Sequence, residues 1–197
     1  MAVQLQKGEK ISLAKESGGR LSRVVMGLGW DAGPPPKPGL LSFLGGGGGE
    51  IDLDASCLLF DAVGRIVDAV WFEQLKSKDG SIRHSGDNVS GQGEGDDERI
   101  EIDLDRVPAG VKVLVFTINS FSGESFEKVR NSYCRLVDGS NDQEVARYQL
   151  ESIPGNHTAM IIARLYRHEE GWKMHAIGEL TRGKTFHDMM PVIKNYL

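Results

Sequence analysis

Hydrophobic and polar residues alternate with a period of two along most of this chain, the pattern of strands with one face buried. Large apolar residues alternate with smaller ones in residues 24–30 and with acidic ones in residues 100–105, and residues 111–118 form a β-branched and aromatic run. Further strand-like segments are 56–60, 66–72, 132–137, 144–150 and a hairpin over 159–177 that turns at Glu170 and Gly171. Frequent strands with few helical stretches predict a mainly β protein, an antiparallel β-sandwich.

The last segment has helical spacing instead. Thr185 is a suitable N-cap with Asp188 three residues later, and apolar residues follow at the period of a helix. These apolar residues are Phe186, Met189, Met190, Ile193 and Leu197. The pattern predicts a short C-terminal helix that packs on a sheet, with its methionines filling the core.

A proline- and glycine-rich stretch interrupts the strand pattern at about residues 32–49. It contains three consecutive prolines and five consecutive glycines, which cannot form a strand ladder, so we expect a loop inserted between two strands. The apolar residues in its middle are Leu40, Leu41, Phe43 and Leu44. They could dock a partner or a membrane surface, or fold back onto the sandwich, and both interpretations remain open.

The length of 197 residues fits one domain that includes this insertion. No run of 18 apolar residues occurs, and the N-terminus lacks the apolar stretch of a secretory signal. Cys57 and Cys134 are too few for a disulfide framework. We therefore expect a cytoplasmic protein without a transmembrane helix.

The negative charge of the chain is local. Residues 50–105 carry 15 acidic and 5 basic residues, whereas the whole chain has a net charge of −5. Such a patch repels phosphate backbones and attracts hard cations, so nucleic acid is not an expected partner and calcium is.

The strongest chemical signal is the acidic, glycine-rich segment 87–98. It concentrates oxygen ligands at Asp87, Asn88, Glu94, Asp96, Asp97 and Glu98. Two carboxylates about 4 Å apart repel by about 1 kcal/mol in water and by more where water is excluded, so this segment needs a counter-charge. Arg99 is the only base nearby in sequence. Calcium fits because it accepts six to eight oxygen ligands in irregular geometry, and the three glycines of the segment let the backbone bend.

Other metal and phosphate loops fit this segment less well. An EF-hand that starts at Asp87 would place Val89 and Gly91 where oxygen ligands are required, and a P-loop needs a lysine where this segment has acids. A single partial match to the calcium-binding β-helix repeat is weak. A solvated acidic hairpin without a metal remains the alternative.

A second group of aspartates supports a metal site. Asp52 and Asp54 are two residues apart, so on a strand both side chains lie on one face, and Asp31 follows Trp30 at the end of another predicted strand. In a sandwich these strand ends can converge on the acidic segment. Exposed alternation is the alternative for such a pair of aspartates.

Evidence for an enzyme is thin. The five histidines show no zinc-binding spacing, neither cysteine has a partner at CxxC distance, and no GxSxG motif occurs. A glycosidase needs two carboxyl groups across a cleft rather than a cluster on one loop. We therefore predict a protein without catalytic residues.

Three motifs carry a resemblance to a known family. GLGWD at 27–31, IDLDAS at 51–56 and the long segment 74–104 resemble the TerD family of tellurium-resistance and stress proteins, over nearly the whole chain. The glycine-rich insertion before IDLDAS is more similar to the TerZ branch of that family.

The resemblance implies a calcium-binding β-sandwich without established enzymatic activity, acting with other tellurium-resistance proteins at the cytoplasmic face of the membrane. It also implies two adjacent calcium sites. The residues that match the ligand positions of the family are Asp31, Asp52, Asp54, Asp87, Asn88, Glu94, Asp96, Asp97 and Glu98. One departure is Glu94, where aspartate is common in the family.

Two functional hypotheses follow from these observations. In the first, calcium orders the acidic segment and creates a docking surface, as in a sensor or interaction module. In the second, calcium only stabilises the fold of a structural interaction module. The oligomeric state is not predicted.

Overall fold

The computed structural model describes residues 2–4, 6–13, 21–31, 52–89, 95–150, 155–169 and 171–197. Within these ranges twelve strands form two six-stranded sheets, which confirms the predicted β-sandwich. The strands are β1 (Val3–Gln4), β2 (Lys10–Ser12), β3 (Arg23–Asp31), β4 (Leu53–Phe60), β5 (Ile66–Val70), β6 (Ile82–His84), β7 (Glu98–Asp103), β8 (Val113–Ser120), β9 (Arg130–Asp138), β10 (Gln143–Gln149), β11 (Ala159–His168) and β12 (Gly171–Thr181).

The first sheet has the strand order β1-β10-β9-β3-β7-β6, and the second has the order β2-β12-β11-β8-β4-β5. All described strand pairs are antiparallel except β1 with β10. The chain therefore crosses between the sheets several times, and these crossings bring the start of β4 beside the start of β7.

The core lies between the two sheets and consists of the inward halves of the alternating strands. Val24, Met26 and Leu28 of β3 contribute to it, as do Ile100 and Ile102 of β7. The sequence predicts that these residues alternate with smaller or polar neighbours, and the structure places them in one buried cluster. Burial of such side chains contributes about 1.5–3 kcal/mol each.

A second, smaller core covers the other face of the second sheet. The C-terminal helix (Phe186–Ile193) packs Phe186, Met189 and Ile193 against Leu58 and other residues of that sheet. Its N-terminus is capped as predicted, because the Asp188 carboxylate accepts hydrogen bonds from the backbone amides of Lys184 and Thr185. A short 3₁₀ turn (Lys194–Tyr196) follows the helix.

Both cysteines are buried and unpaired, and burial raises the pKa of each thiol, so neither is a reactive thiolate. Among the described helices, none combines the length and the apolar character needed to span a bilayer. The predicted insertion at 32–49, including the apolar residues 40–44, lies outside the described residues.

Candidate metal centre

The candidate site lies at the end of the sandwich where β4 extends beyond its neighbour β5. The pairing of β4 with β5 covers only Cys57–Phe60, so the first residues of β4 pair with β8 alone among the described strands. Both backbone groups of Ala55 are satisfied by side chains of the other sheet. Glu98 Oε2 accepts a hydrogen bond from Ala55 N at 2.7 Å, and His84 Nε2 lies 3.2 Å from Ala55 O.

The tautomer of His84 follows from this geometry. The backbone amide of Gly86 donates to His84 Nδ1 at 3.1 Å, so Nδ1 carries no hydrogen, and Nε2–H donates to Ala55 O. The same Nε2 lies 3.4 Å from Glu98 Oε2. In this arrangement His84 links β6 to β4 as a hydrogen-bond donor.

Glu98 is fully buried and connects three segments of the chain. Besides Ala55 N, its carboxylate accepts a hydrogen bond from Asn88 N at 3.3 Å. A buried carboxylate is tolerated only when donors surround it. Glu98 thus ties the acidic segment to β4, across the gap between the sheets.

Asp97 anchors the same segment to β3. Its Oδ2 accepts a hydrogen bond from Trp30 N at 2.9 Å, and its Oδ1 accepts one from Asn88 Nδ2 at 3.1 Å. Burial raises the pKa of Asp97, and the Asp31 and Asp96 charges add to this shift, whereas the hydrogen bonds from Trp30 and Asn88 oppose it. The carboxylate is thus held by donors in a region of negative potential.

The side chains of Asp52, Asp54 and Asp87 form a carboxylate triad. One oxygen from each of the three lies within 4.8 Å of the others. Asp54 is 2% exposed, whereas Asp87 is exposed, so the triad opens to solvent on one side. Among the described residues, no lysine or arginine nitrogen lies within 4.0 Å of these carboxylates.

One oxygen of the triad has no partner. Asp52 Oδ1 is buried and accepts no hydrogen bond within the described part of the chain. A buried carboxylate oxygen without a donor is costly, and three carboxylates without a counter-charge repel one another. A hard divalent cation would relieve both costs, and an all-oxygen donor set fits calcium better than zinc or copper.

The burial and mutual proximity of these carboxylates raise the pKa values of two members of the triad. Burial raises the pKa of Asp54 from 3.8 to about 8, with further contributions from the charges of Glu98, Asp52 and Asp87. The pKa of Asp52 rises from 3.8 to about 6, again mainly through burial and then through Asp87 and Glu98. The metal-free triad therefore holds protons that a bound cation would displace.

Asn119 connects the triad to the C-terminal helix. It lies directly opposite Asp54 in the β4–β8 pair. Its Nδ2 donates to Asp54 Oδ2 at 2.9 Å and to Lys184 O at 2.5 Å. Lys184 precedes the helix by two residues, so one side-chain amide contacts both the candidate metal ligand and the start of the helix.

The remaining predicted ligands lie elsewhere. Asp31 is exposed at the end of β3 and accepts a hydrogen bond from Asn131 Nδ2. Asp96 pairs with Arg135, with Nε–Oδ1 and Nη2–Oδ2 distances of 2.7 and 3.0 Å. Glu94 lies outside the described residues. The predicted roles of Asp31, Asp96 and Glu94 as calcium ligands stay predictions.

The bidentate pair between Asp96 and Arg135 was not foreseen from the sequence, where Arg99 was the only base considered. Gly27 explains how Asp96 reaches this position, because a Cβ on Gly27 would lie 2.4 Å from Asp96 Oδ2. Gly29 leaves space for Tyr133 in the same way, because a Cβ on Gly29 would lie 2.5 Å from Tyr133 Cζ. The two glycines of the GLGWD motif therefore provide space for side chains from other segments.

Comparison with known proteins places this chain in a family. The model of the TerD domain matches residues 1–191. The chain belongs to the TerD family. It is 48% identical to the tellurium resistance protein TerZ of Serratia marcescens over 95% of this chain and 94% of that protein. It is 39% identical to the stress response protein SCP2 of Bacillus subtilis (strain 168), over 96% and 98% of the two chains.

Further comparisons support the TerZ-like branch and the fold. The TerD-family chain is 39% identical to the tellurium resistance protein TerD of Alcaligenes sp., over 90% of each, which is below its identity to TerZ. A crystal structure of a homologue of telluride resistance protein (TerD) from Streptomyces coelicolor A3(2) superposes with a TM-score of 0.64 and 22% identity. That match covers 83% of this chain and 92% of the other, and it shows the shared fold.

The network around Glu98 predicts a specific loss of stability. Glu98→Ala in this TerD-family protein leaves the buried amide of Ala55 without its acceptor, so the free energy of unfolding should fall by about 1–3 kcal/mol. Urea denaturation at pH 5 without calcium measures this change in the free energy of unfolding. At this pH the raised pKa values of Asp52 and Asp54 keep both carboxyl groups mostly neutral, so repulsion within the triad contributes little. Glu101→Ala, an exposed glutamate on the same strand, is the matched control. Equal stability of the two variants would contradict the structural role of Glu98.

The triad predicts a pH dependence of the metal-free protein. The folded state binds more protons than the unfolded state between the ordinary aspartate pKa of 3.8 and the raised values of about 6 and 8. The triad therefore makes stability fall as pH rises through this range. The free energy of unfolding of Asp52→Asn/Asp54→Asn should decline less from pH 5 to 8 than that of the unmodified protein. Parallel pH profiles of the two proteins would argue against the raised pKa values.

Proposed function

We propose that this TerD-family protein is a calcium-binding, non-enzymatic interaction or sensor module of the stress and tellurium-resistance response. The observation that carries the proposal is the carboxylate triad, with three mutually close oxygens and no neighbouring cation within the described residues. Calcium would be held by Asp52, Asp54 and Asp87, and it supplies the positive charge that these side chains lack. The names of the relatives, which refer to tellurium resistance and to stress response, support the physiological setting.

The contact through Asn119 favours a sensor. A cation that binds Asp54 changes the charge of the carboxylate that Asn119 contacts, and the same amide holds Lys184 O at the start of the C-terminal helix. Occupancy of the triad would thus bias the position of the helix, which covers one face of the second sheet. Such a coupling between the triad and the helix requires that the contacts of Asn119 differ between the calcium-free and the calcium-bound states.

The second candidate is a structural module in which calcium only stabilises the fold. One observation favours it: Glu98 and Asp97 already fix the acidic segment through direct hydrogen bonds to Ala55, Asn88 and Trp30. A segment that is held without metal changes little when metal binds.

The proposal extends to partners and place of action. We propose that the module acts with other tellurium-resistance proteins at the cytoplasmic face of the membrane, with calcium as the regulating ligand. The resemblance predicts two calcium ions, and Asp31, Asn88 and Asp97 are the nearest candidates for a second position, since the charge of Asp31 acts on Asp97.

Calcium titration tests the binding proposal. Isothermal calorimetry should show saturable binding, and free calcium at 100 times Kd should stabilise the protein by about 2.7 kcal/mol. Asp54→Asn/Asp87→Asn should abolish binding at the triad, because two of its three charges are removed. Asp105→Asn, an exposed aspartate beyond the other end of β7, is the control that should bind as before. Unchanged affinity of the double variant would eliminate the triad as the site.

Hydrogen exchange distinguishes the sensor from the static module. In the sensor, calcium should slow amide exchange in Phe186–Ile193 by roughly fivefold or more, the lower end of ordinary coupling energies. Asn119→Ala should keep calcium binding but lose this effect, whereas Asn141→Ala, an exposed asparagine in another turn, should keep both. Calcium binding without any change in helix exchange in the unmodified protein would favour the static module.

A further inference from the structure

A cavity of about 360 Å³ lies on the first sheet, apart from the metal centre. It is bordered by β3, β6 and β7, by the turn before β6, and by the turns that follow β7 and β9. No member of the carboxylate triad lines it. Its volume lies within the range of about 300–1,000 Å³ that is typical of small-molecule sites.

Four arginines line this cavity, and they come from four separate segments. Arg23 belongs to β3, Arg83 to β6, Arg99 to β7 and Arg106 to the turn after β7. Within the described residues, Arg23, Arg83 and Arg106 have no carboxylate oxygen within 4.0 Å. The closest carboxylate to Arg99 is Asp96, with Nε and Oδ2 3.9 Å apart, and Arg99 Nε is buried without a hydrogen-bond partner.

A fifth cation lies at the rim. Gly80 lines the cavity with a φ of +76°, and the point that its Cβ would occupy lies 3.5 Å from Lys76 Nζ and 3.7 Å from Arg106 Nη2. Two positive groups therefore approach the same point beside the cavity. Like charges that approach one point repel, and an anion bound beside them would reduce the repulsion.

The acids on the cavity wall offset only part of this charge. Glu101, Asp103 and Asp142 also line the cavity, and the strand register places Glu101 opposite Arg83 and Asp103 opposite Arg23. Among the described residues none of these carboxylates lies within 4.0 Å of a cavity arginine nitrogen, and the four arginines outnumber the three acids. Asp103 is engaged in the following turn, where its Oδ1 accepts a hydrogen bond from Arg106 N at 3.2 Å. Since the whole chain has a net charge of −5, a general excess of basic residues does not explain this cluster.

Ser81 adds an unused polar group. It lines the cavity, is 3% exposed, and its Oγ has no hydrogen-bond partner among the described residues. Its backbone is fixed on both sides, because Ser81 N donates to Asp79 Oδ1 at 2.8 Å and Ser81 O accepts from Asp103 N at 2.8 Å. The backbone of this serine is thus fixed beside the cavity, and its hydroxyl remains unsatisfied among the described residues.

We propose that this cavity binds a small phosphate-bearing anion. Planar guanidinium groups match the oxygens of a phosphate group through paired hydrogen bonds, and such bonds are stronger than neutral ones. Arg83 and Arg106 provide the main charge, Lys76 contributes at the rim, and Ser81 provides a neutral donor. The site is independent of calcium, so the two proposals stand or fall separately.

Calorimetric titration with pyrophosphate and with inorganic phosphate tests this site. Calcium is first removed over a chelating resin, because soluble chelators are themselves polyanions and phosphate binds calcium. Pyrophosphate should bind saturably, and Arg83→Gln/Arg106→Gln should weaken binding by roughly tenfold or more, since each arginine contributes charged hydrogen bonds. The control Arg65→Gln/Arg182→Gln has the same net charge, and its substitutions lie outside the cavity. Its affinity should match that of the unmodified protein.

Two results would overturn the proposal: no saturable binding of either anion, or equal weakening by the two double variants, which would indicate general charge screening. Ser81→Ala gives a second measurement, since it should weaken binding without lowering the melting temperature.

Sedimentation with phosphatidylcholine vesicles that contain phosphatidic acid identifies the source of the phosphate. Binding to these vesicles that depends on Arg83 and Arg106 indicates a lipid headgroup, and binding of the free anions alone indicates a soluble ligand.

Discussion

The crowding of carboxylates at one end of the sandwich is the constraint on which the rest of this structure depends. These carboxylates fall into two groups, which differ in the hydrogen-bond donors around them. Glu98 and Asp97 are surrounded by backbone and side-chain donors, so their charges are stabilised within the fold. Within the described residues, Asp52 Oδ1 is buried and receives no hydrogen bond. The first pair therefore holds the acidic segment in place, whereas the carboxylates of the triad carry a charge that protons or a bound cation must balance.

The fold was largely predictable because its strands alternate and its helix carries its own capping residue. The local sequence was enough to predict the burial of Val24, Met26 and Leu28 and the capping role of Asp188. The pairing of Asp52 with Asp54 on one strand face could also be predicted, because a spacing of two is a property of the strand itself. The involvement of Asp87 followed from the composition of its segment.

The connections of the site could not be predicted from local sequence. Arg135 reaches Asp96 from a strand 39 residues away, and Asn119 reaches Asp54 from a distance of 65 residues. Gly27 appears in the sequence only as a small residue within a strand, and its role depends on a carboxylate that another segment places above it. These contacts depend on strand order, since β7 and β9 flank β3 only in the folded sheet.

The same strand order explains how an acidic chain contains a cationic cavity. The acids face one another at the start of β4 and in the segment before β7, whereas Arg23, Arg83 and Arg106 lie farther along β7 or on its neighbours and Arg99 stands between the two groups. Two regions of opposite charge thus share one strand. Net charge is a poor guide to ligands in such a protein, because the sum hides both regions.

The capture of Ala55 by Glu98 and His84 has a consequence for self-association. Among the described strands, none pairs with the first residues of β4 on the side away from β8, and strand edges of this kind recruit a strand from another molecule in many β proteins. Here the amide and carbonyl of Ala55 are already occupied by side chains from the facing sheet. Glu98 and His84, which lie beside the candidate metal centre, therefore also oppose intermolecular β-sheet extension at this edge.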